Sequence, residues 1–265
     1  MRSLLFIFSA AFTLPATSHA QDSFADAFWK FRANAGFDFS SGYYGAAKAT
    51  EILYLPLTFQ AAKGPWTLKA TVPWLRVSGP ALLIDGTGES LAGVRTSGAA
   101  SGLGDINLSA TYALEQYYNY GLFIDLTARV KAPTASFAKG LGTGEWDGAA
   151  QVDVAKSIDG TGPGTFMPFA TLGYRITGDP NGFFLRNVLY GSVGVQYSWS
   201  DIVATGVSYD ARQAAIRAAV DPEEMTAYTN IRLGQAWSAN VYGVVGLSRN
   251  SPTAGGGVVL TYRWR

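Results

Sequence analysis

The feature that most constrains this chain is an alternation of apolar and polar residues with a period of two, which runs along most of its length. Such alternation is typical of β-strands with one apolar and one polar face. The clearest segment runs from Trp29 to Phe39, where apolar side chains alternate with Lys30, Arg32 and Asp38. Further segments repeat the pattern and predict about 12 strands of roughly ten to thirteen residues, the length that crosses a bilayer at a tilt of about 45°.

The connections between these strands favour a membrane barrel over a soluble sandwich, because short and long connections alternate. The predicted short turns are Lys63-Gly64, Gln116 to Asn119, Asp159 to Gly164, Ser200-Asp201 and Ser238-Ala239. The predicted loops are Ser40 to Lys48, Ser78 to Gly102, Pro133 to Glu145, Gly178 to Arg186, Arg212 to Glu224 and, shorter, Arg249 to Thr253. Outer-membrane barrels have short periplasmic turns and longer extracellular loops. We therefore predict an all-β, closed antiparallel transmembrane β-barrel whose last strand pairs with its first, because an open edge is unfavourable in lipid.

The first twenty residues have the pattern of a signal peptide. Arg2 supplies a positive charge, Leu4 to Phe12 an apolar core, and Ser18-His19-Ala20 a cleavage site. This predicts a signal peptide over residues 1–20 and a barrel over 21–265, exported to the outer membrane of a Gram-negative-type envelope. The expected partners are outer-membrane lipid, the barrel-assembly machinery during insertion, and a small-molecule solute.

The residue types that are missing exclude most enzyme chemistry. The sequence has no Cys, and its single His lies in the predicted signal peptide. The remaining chain therefore cannot form a Ser-His-Asp or Cys-His site or a zinc site from the usual ligands. We expect no enzyme activity, no catalytic residue, no metal and no cofactor. After removal of residues 1–20 the basic and acidic residues balance, which gives no argument for a nucleic-acid partner.

Aromatic residues fall at both ends of the apolar strand faces, as in the two interfacial girdles of membrane barrels. At the periplasmic ends these are Trp29, Trp66, Tyr120, Phe166, Trp199, Trp237 and Trp264, and at the outer ends Phe39, Trp74, Trp146 and Tyr174. The polar faces must then face the lumen, since a charge in hydrocarbon costs several kcal/mol.

The predicted lumen carries charges of both signs. The candidate lumen-lining residues are Lys30, Arg32, Asp38, Lys69, Asp105, Asp125, Arg129, Lys131, Asp147, Asp153, Arg175, Arg232 and Arg263. Mixed signs on neighbouring strands predict cross-strand pairs that rigidify the interior. Eight strands leave a filled barrel and sixteen a water channel, so about 12 predict a narrow or mostly occluded lumen.

Two regions carry more specific hypotheses. Pairing of the last strand with the first would bring Lys30, Arg32, Arg263 and Arg265 together at the periplasmic end. These cations are then neutralised by Asp22 and Asp26, form an open collar that attracts anions, or are solvated rim residues without a role.

The longest predicted loop, Ser78 to Gly102, contains the apolar residues Leu82, Leu83 and Ile84. These three residues either form an apolar gate over the outer mouth or extend a strand above the membrane.

Three short motifs point to a known family. They are Gly102-Leu103-Gly104-Asp105-Ile106, Lys131-Ala132-Pro133-Thr134 and Leu141-Gly142-Thr143-Gly144, and a glycine-rich ending runs from Gly255 to Trp264. Their order and spacing resemble the outer-membrane protein family named for the meta-pathway of phenol degradation. The resemblance implies a transporter-like barrel for small, often aromatic compounds, and it brings no catalytic or ligand residues. On the residues alone, the motifs are also explained as tight turns in which Asp105 and Asp147 bond local backbone amides.

Two functions remain open from the sequence. The first is an outer-membrane channel for small organic solutes, aromatic ones included. The alternative is a structural or surface-interaction barrel whose extracellular loops bind a partner, without a conducting pore.

Overall fold

The computed structural model describes residues 28–44, 46–80, 98–159, 164–180, 184–217 and 219–264. The predicted signal peptide, the acids Asp22 and Asp26, the gate candidates Leu82, Leu83 and Ile84, and Arg265 lie outside the described residues. Within the described ranges, no helix is long and apolar enough to cross a membrane.

In the described part of the chain, thirteen β-strands form one antiparallel sheet that closes on itself. Their bounds are β1 Lys30–Gly42, β2 Thr50–Lys63, β3 Trp66–Gly79, β4 Gly98–Leu103, β5 Ile106–Ala113, β6 Leu122–Ala132, β7 Asp147–Lys156, β8 Thr165–Ile176, β9 Val188–Ser198, β10 Val203–Arg212, β11 Glu223–Arg232, β12 Trp237–Gly246 and β13 Ala254–Arg263. Strand β13 pairs with β1 from Arg32↔Arg263 to Ser41↔Ala254. The predicted closure of the last strand onto the first is therefore confirmed.

Strands β4 and β5 occupy one position in the barrel, which makes twelve positions in all. Both pair with β3, β4 with the half that ends at Gly79 and β5 with the half that begins at Trp66. Between Trp74↔Leu103 and Thr71↔Asn107 the register shifts by one residue, as in a β-bulge. The 12-strand antiparallel barrel of the sequence prediction is confirmed, with one strand interrupted.

The longest predicted loop is too long by several residues, because Gly98 to Gly102 belong to β4. This segment is made of small residues and Ser, so it has no apolar alternation to reveal it. Its backbone pairing with β3 defines it as a strand.

The two prolines inside strands mark local defects of the ladder. Pro56 and Pro73 lie directly opposite each other across β2 and β3. At Pro56 the pairing of β1 with β2 is interrupted between Ala35↔Leu57 and Asp38↔Tyr54. At Pro73 the carbonyl accepts the N–H of Gly104, the first residue of the bulge, at 2.9 Å. The missing proline donors are thus placed where the ladder is already irregular.

The turn predicted at Ser238-Ala239 is wrong by a few residues. Both residues pair with β13 inside β12, and the turn lies between Arg232 and Trp237. The predicted turn around Gln116 to Asn119 is a 3-10 helix over Glu115–Tyr120, closed by Gly121 in the left-handed region at φ 64°.

The outer surface of the barrel is apolar, as the alternation predicts. Leucine, valine and aromatic side chains on the outward parity are exposed along the strands, for example Leu57, Leu126 and Val193. Aromatic rings pack pairwise at the end of the barrel that carries the short turns, with centroids 4.9 Å apart for Trp66 and Tyr112 and 4.6 Å apart for Tyr197 and Trp199. This arrangement is that of an interfacial girdle. We call the end with the short turns the turn end and the other the loop end.

Candidate functional site

The candidate site is the inner face of the barrel. The structure places the strand members of the sequence-predicted set on the inward parity, but it divides all thirteen residues into separate groups. Asp105, Lys131 and Asp147 are buried together at the loop end, whereas Arg32, Arg232 and Arg263 lie together at the turn end. The other seven, on the wall between or beside these groups, are Lys30, Asp38, Lys69, Asp125, Arg129, Asp153 and Arg175.

A buried ion cluster, the ion lock, joins the bulge to strands β6 and β7. The Lys131 Nζ atom lies 3.3 Å from Asp105 Oδ2 and 3.2 Å from Asp147 Oδ2, and it donates to Thr143 Oγ1 at 2.8 Å. The side chains of Lys131, Asp105 and Asp147 are only 4%, 0% and 7% exposed. A buried ammonium between two carboxylates is stable only when its partners stay in place.

The three motifs singled out in the sequence converge on this ion lock. The Thr134 hydroxyl donates to the Gly104 carbonyl at 2.9 Å and accepts the Ile106 N–H at 3.0 Å, across the bulge. Asp105 Oδ1 accepts the N–H of Ala135 at 2.8 Å. A Cβ added at Gly142 would lie 2.6 Å from the Ala135 Cβ. The motifs therefore fasten the 133–146 loop to the inside of the barrel.

The hypothesis that Asp105 and Asp147 bond local backbone amides is wrong. Asp105 binds Ala135, which lies 30 residues away, and Asp147 accepts the N–H of Gly178, which lies 31 residues away. Each carboxylate thus ties its strand to a different loop, because loops that fold into a closed barrel meet strands remote in sequence.

The loop end of the lumen holds an apolar group, the mouth cluster. Its buried members are Tyr44, Ile52, Tyr54, Leu75, Val77, Ala135, Leu141 and Ala214. The strand members come from the inward parity of β2 and β3, and the others come from three loops. The loops around Tyr44, Leu141 and Ala214 therefore fold inward and narrow the mouth.

The 213–222 loop is held inward by its neighbours. Asp221 Oδ1 accepts the N–H of Ala214 at 2.8 Å and pairs with Arg186 Nη2 at 2.8 Å. Asn250 Nδ2 donates to the Val220 carbonyl at 2.7 Å. Loops on both sides thus fix its inward path.

Tyrosine rings lie flat on the lumen wall over glycines of the adjacent strand. A Cβ at Gly173 would come within 2.2 Å of the Tyr190 Cζ atom, and one at Gly206 within 2.3 Å of the Tyr228 Cζ atom. The hydroxyls bond the same wall, with Tyr190 donating to Gln151 Oε1 at 3.1 Å and Tyr242 to the Asp38 carboxylate. These rings cover wall positions instead of projecting toward the barrel axis.

Acidic and basic residues face the turn half of the lumen. Asp125 and Asp153 are direct register partners across β6 and β7, and Asp153 accepts hydrogen bonds from Gln151 Nε2 at 2.6 Å and Thr171 Oγ1 at 2.7 Å. Lys69 interacts electrostatically with both acids and, repulsively, with Arg129 and Arg32. Cross-strand pairing of opposite charges, expected from the sequence, is present for Lys131 and Asp147 but not for this pair of acids.

Three arginines at the turn end form a cationic collar, which consists of Arg32, Arg232 and Arg263. Arg32 and Arg263 are register partners across the β1–β13 seam, as the sequence hypothesis requires. Arg232, two strands away from β13, also repels Arg263.

Sequence reasoning missed a further polar group on the inner wall of β10 and β11. Arg212 Nη2 lies 3.8 Å from Glu224 Oε1, and Ser208 donates to Asp210 at 3.0 Å. The sequence does contain a signal for this group, because Ser208, Asp210 and Arg212 follow each other at intervals of two along β10 and therefore share one face of the strand. The same alternation places Tyr190, Tyr228 and Tyr242 on the polar faces of their strands, but it does not show that their rings lie over glycines.

Solved structures with this fold include outer-membrane channels. An outer membrane channel from Pseudomonas putida F1 has a TM-score of 0.69 at 12% identity, over 89% of this chain and 95% of that chain. The beta domain of the Bordetella autotransporter BrkA has a TM-score of 0.55 at 11% identity, over 89% and 100%. The NanC porin has a TM-score of 0.54 at 10% identity, over 88% and 100%.

No protein-family model matches the chain, and no curated protein does. The resemblance to the phenol-degradation family therefore rests on the short sequence motifs alone. The structural likeness establishes the fold of an outer-membrane barrel. That fold serves channels and an autotransporter domain alike, so the function is argued from the lumen.

Proposed function

We propose that this protein is an outer-membrane channel for small organic solutes, aromatic ones included. Its outer surface fits lipid contact, and its partners are outer-membrane lipid, the barrel-assembly machinery during insertion and the solute. The observation that carries the proposal is the flattened inner wall of β8 to β13, where inward tyrosines lie over glycines.

The flattened wall favours passage over a filled interior. A barrel that serves only as a scaffold gains stability by filling its lumen with side chains. Glycines at Gly173, Gly206 and Gly257 instead receive the rings of Tyr190, Tyr228 and Tyr242, which keeps large side chains against the wall. The half-buried rings of Tyr190 and Tyr228 present flat apolar faces, on which an aromatic solute stacks favourably.

The rest of the inner wall suits a small solute with polar substituents. The loops that carry Tyr44, Leu141 and Ala214 fold inward and narrow the loop end, which limits the size of a solute. Between the two ends, the half-buried side chains of Asn34 and Thr58 offer hydrogen bonds to hydroxyl or carbonyl groups. A small solute with an apolar body and polar substituents matches this wall.

Conductance and solute flux test the proposal. Purified protein in planar bilayers is expected to give discrete conductance steps in potassium chloride. Vesicles containing the protein are expected to swell faster in phenyl β-glucoside than in cyclohexyl β-glucoside, because only the first ring stacks on tyrosine. These two solutes share the sugar and nearly the same size.

Each result has a clear consequence. Folded protein without conductance or swelling would overturn the channel and leave the structural or surface-interaction barrel. Equal swelling rates for the two glucosides would retain the channel and overturn the preference for aromatic solutes.

A further inference from the structure

The cationic collar brings like charges together, whereas the neighbouring inward pair on the same two strands is neutral. One inward step along the β1–β13 ladder, Asn34 faces Thr261, and Thr261 Oγ1 donates to Asn34 Oδ1 at 2.7 Å. The preceding inward pair is Arg32 opposite Arg263. Like charges directly opposite each other destabilise a sheet, so this pair is unfavourable for folding by itself.

The collar has no acidic partner among the described residues. None of its three side chains forms a salt bridge or a hydrogen bond with a described residue, and Arg263 Nε is buried without an acceptor there. The ion lock is the internal contrast, since Lys131 lies between two carboxylates. A buried donor without an acceptor is costly, and an anion that reaches the collar relieves that cost.

The chemistry of the three side chains defines the anion. Arginine stays protonated at all working pH values and presents a planar fork of donors that matches the two oxygens of a carboxylate. Arg32 and Arg263 extend from adjacent strands, and Arg232 approaches from the same side of the barrel. Asp125 and Asp153 lie on strands β6 and β7, about half-way round the barrel from the β1–β13 seam. Their negative charges repel an anion away from that part of the wall.

We propose that the collar is a binding site for the carboxylate group of a small organic anion at the turn end of the lumen. The inference deepens the proposed channel function, because the lumen is the route by which an extracellular anion reaches the collar. Binding itself needs no conduction and is measured separately.

Equilibrium binding tests the site. The probe is 4-fluorobenzoate, followed by fluorine NMR with the full chain in detergent micelles. The variant R32Q/R263Q is expected to weaken binding by about tenfold or more, because it removes charge-assisted hydrogen bonds. The variant R249Q, which removes an exposed loop arginine, is the matched control and is expected to bind like the wild type.

The charge-conserving variant R32K/R263K separates carboxylate recognition from simple attraction. Lysine keeps both charges but lacks the planar fork, so binding is expected to fall while the anion preference of the pore persists. In reversal-potential measurements, R32Q/R263Q is expected to lower the chloride-to-potassium permeability ratio by about threefold or more, since charge in a confined mouth concentrates counter-ions.

Three outcomes would overturn the site. Unchanged 4-fluorobenzoate binding in folded R32Q/R263Q would remove the collar from anion recognition. Full binding by R32K/R263K would show that the collar attracts anions by charge alone and does not recognise the carboxylate group. Binding that is absent in the wild type and appears in D22N/D26N would mean that the chain's own acids occupy the collar. Loss of conductance with retained binding would count against the channel alone.

Discussion

The two ends of the lumen treat charge in opposite ways. At the loop end, Lys131 lies between Asp105 and Asp147, and the three are almost fully buried. At the turn end, Arg32 faces Arg263 with no acid beside it among the described residues. The first arrangement neutralises charge in order to hold a loop, and the second keeps charge available to a ligand. Inward position alone therefore does not define the role of a lumen charge.

The difference follows from what surrounds each group. The ion lock lies next to the mouth cluster, where an unpaired charge would face apolar side chains such as Leu141. The collar lies at a half-buried rim, where solvent partly screens the repulsion between its charges although the Nε atom of Arg263 is buried. Full burial thus requires that charges be paired at the loop end, whereas partial exposure allows like charges to lie together at the turn end.

The largest expected effect comes from breaking the ion lock with Lys131→Met. The substitution leaves two buried carboxylates without their cation, so the free energy of unfolding should fall by about 3–5 kcal/mol. Urea unfolding of the protein in detergent measures this. Lys139→Met, on the exposed part of the same loop, is the control and should change little. A stable Lys131→Met protein with the wild-type midpoint would refute the lock.

Gly142→Val tests the same end by steric means. Its Cβ would lie 2.6 Å from the Ala135 Cβ and 3.0 Å from Asp105 Oδ2, so the loop must shift. Overpacking of this kind costs about 1–3 kcal/mol, again measured by urea unfolding. We expect the displaced loop to widen the mouth and raise single-channel conductance. Gly148→Ala, whose Cβ would meet nothing within 4 Å, is the matched control. Identical conductance and stability in Gly142→Val would show that the loop does not narrow the mouth.

Gly206→Ala tests the wall between the two ends. The new methyl would lie 2.3 Å from the Tyr228 Cζ atom and should push the ring into the lumen. Single-channel conductance should decrease while the barrel still folds. Gly243→Ala on the outward face of β12, with open space around its Cβ, should leave conductance unchanged. If both variants conduct alike, the tyrosine does not border the conducting path.

The smallest expected effect is that of Asp125→Asn. It removes the repulsion between Asp125 and its register partner Asp153, so stability should rise by about 0.2–1 kcal/mol. Selectivity should shift toward anions, opposite to the shift expected for the collar variants. Asp201→Asn in the exposed β9–β10 turn is the control. A shift toward cations would contradict the inference that Asp125 and Asp153 act on the ions that pass through the lumen.

The regular part of the barrel was predictable from residues such as Trp29 to Phe39. A period of two fixes which side chains share a face, and a lipid environment fixes which face is apolar. Closure followed from the need to satisfy the backbone in lipid, and the pairing of Arg32 with Arg263 followed from closure. Strand β4 was not predictable, because Gly98 to Gly102 have no apolar contrast.

Except for β4, the sequence by itself determined the strands, their faces and the circular order of the barrel, because these depend on local periodicity and on short connections. Away from the β1–β13 seam, only the tertiary structure decided which inward residues meet. The contact of Asp105 with Ala135, the place of Lys131 between two acids and the inward path of the loop around Leu141 join segments far apart in the chain. Such contacts depend on how a loop folds across a closed barrel, and no spacing along the sequence encodes that path.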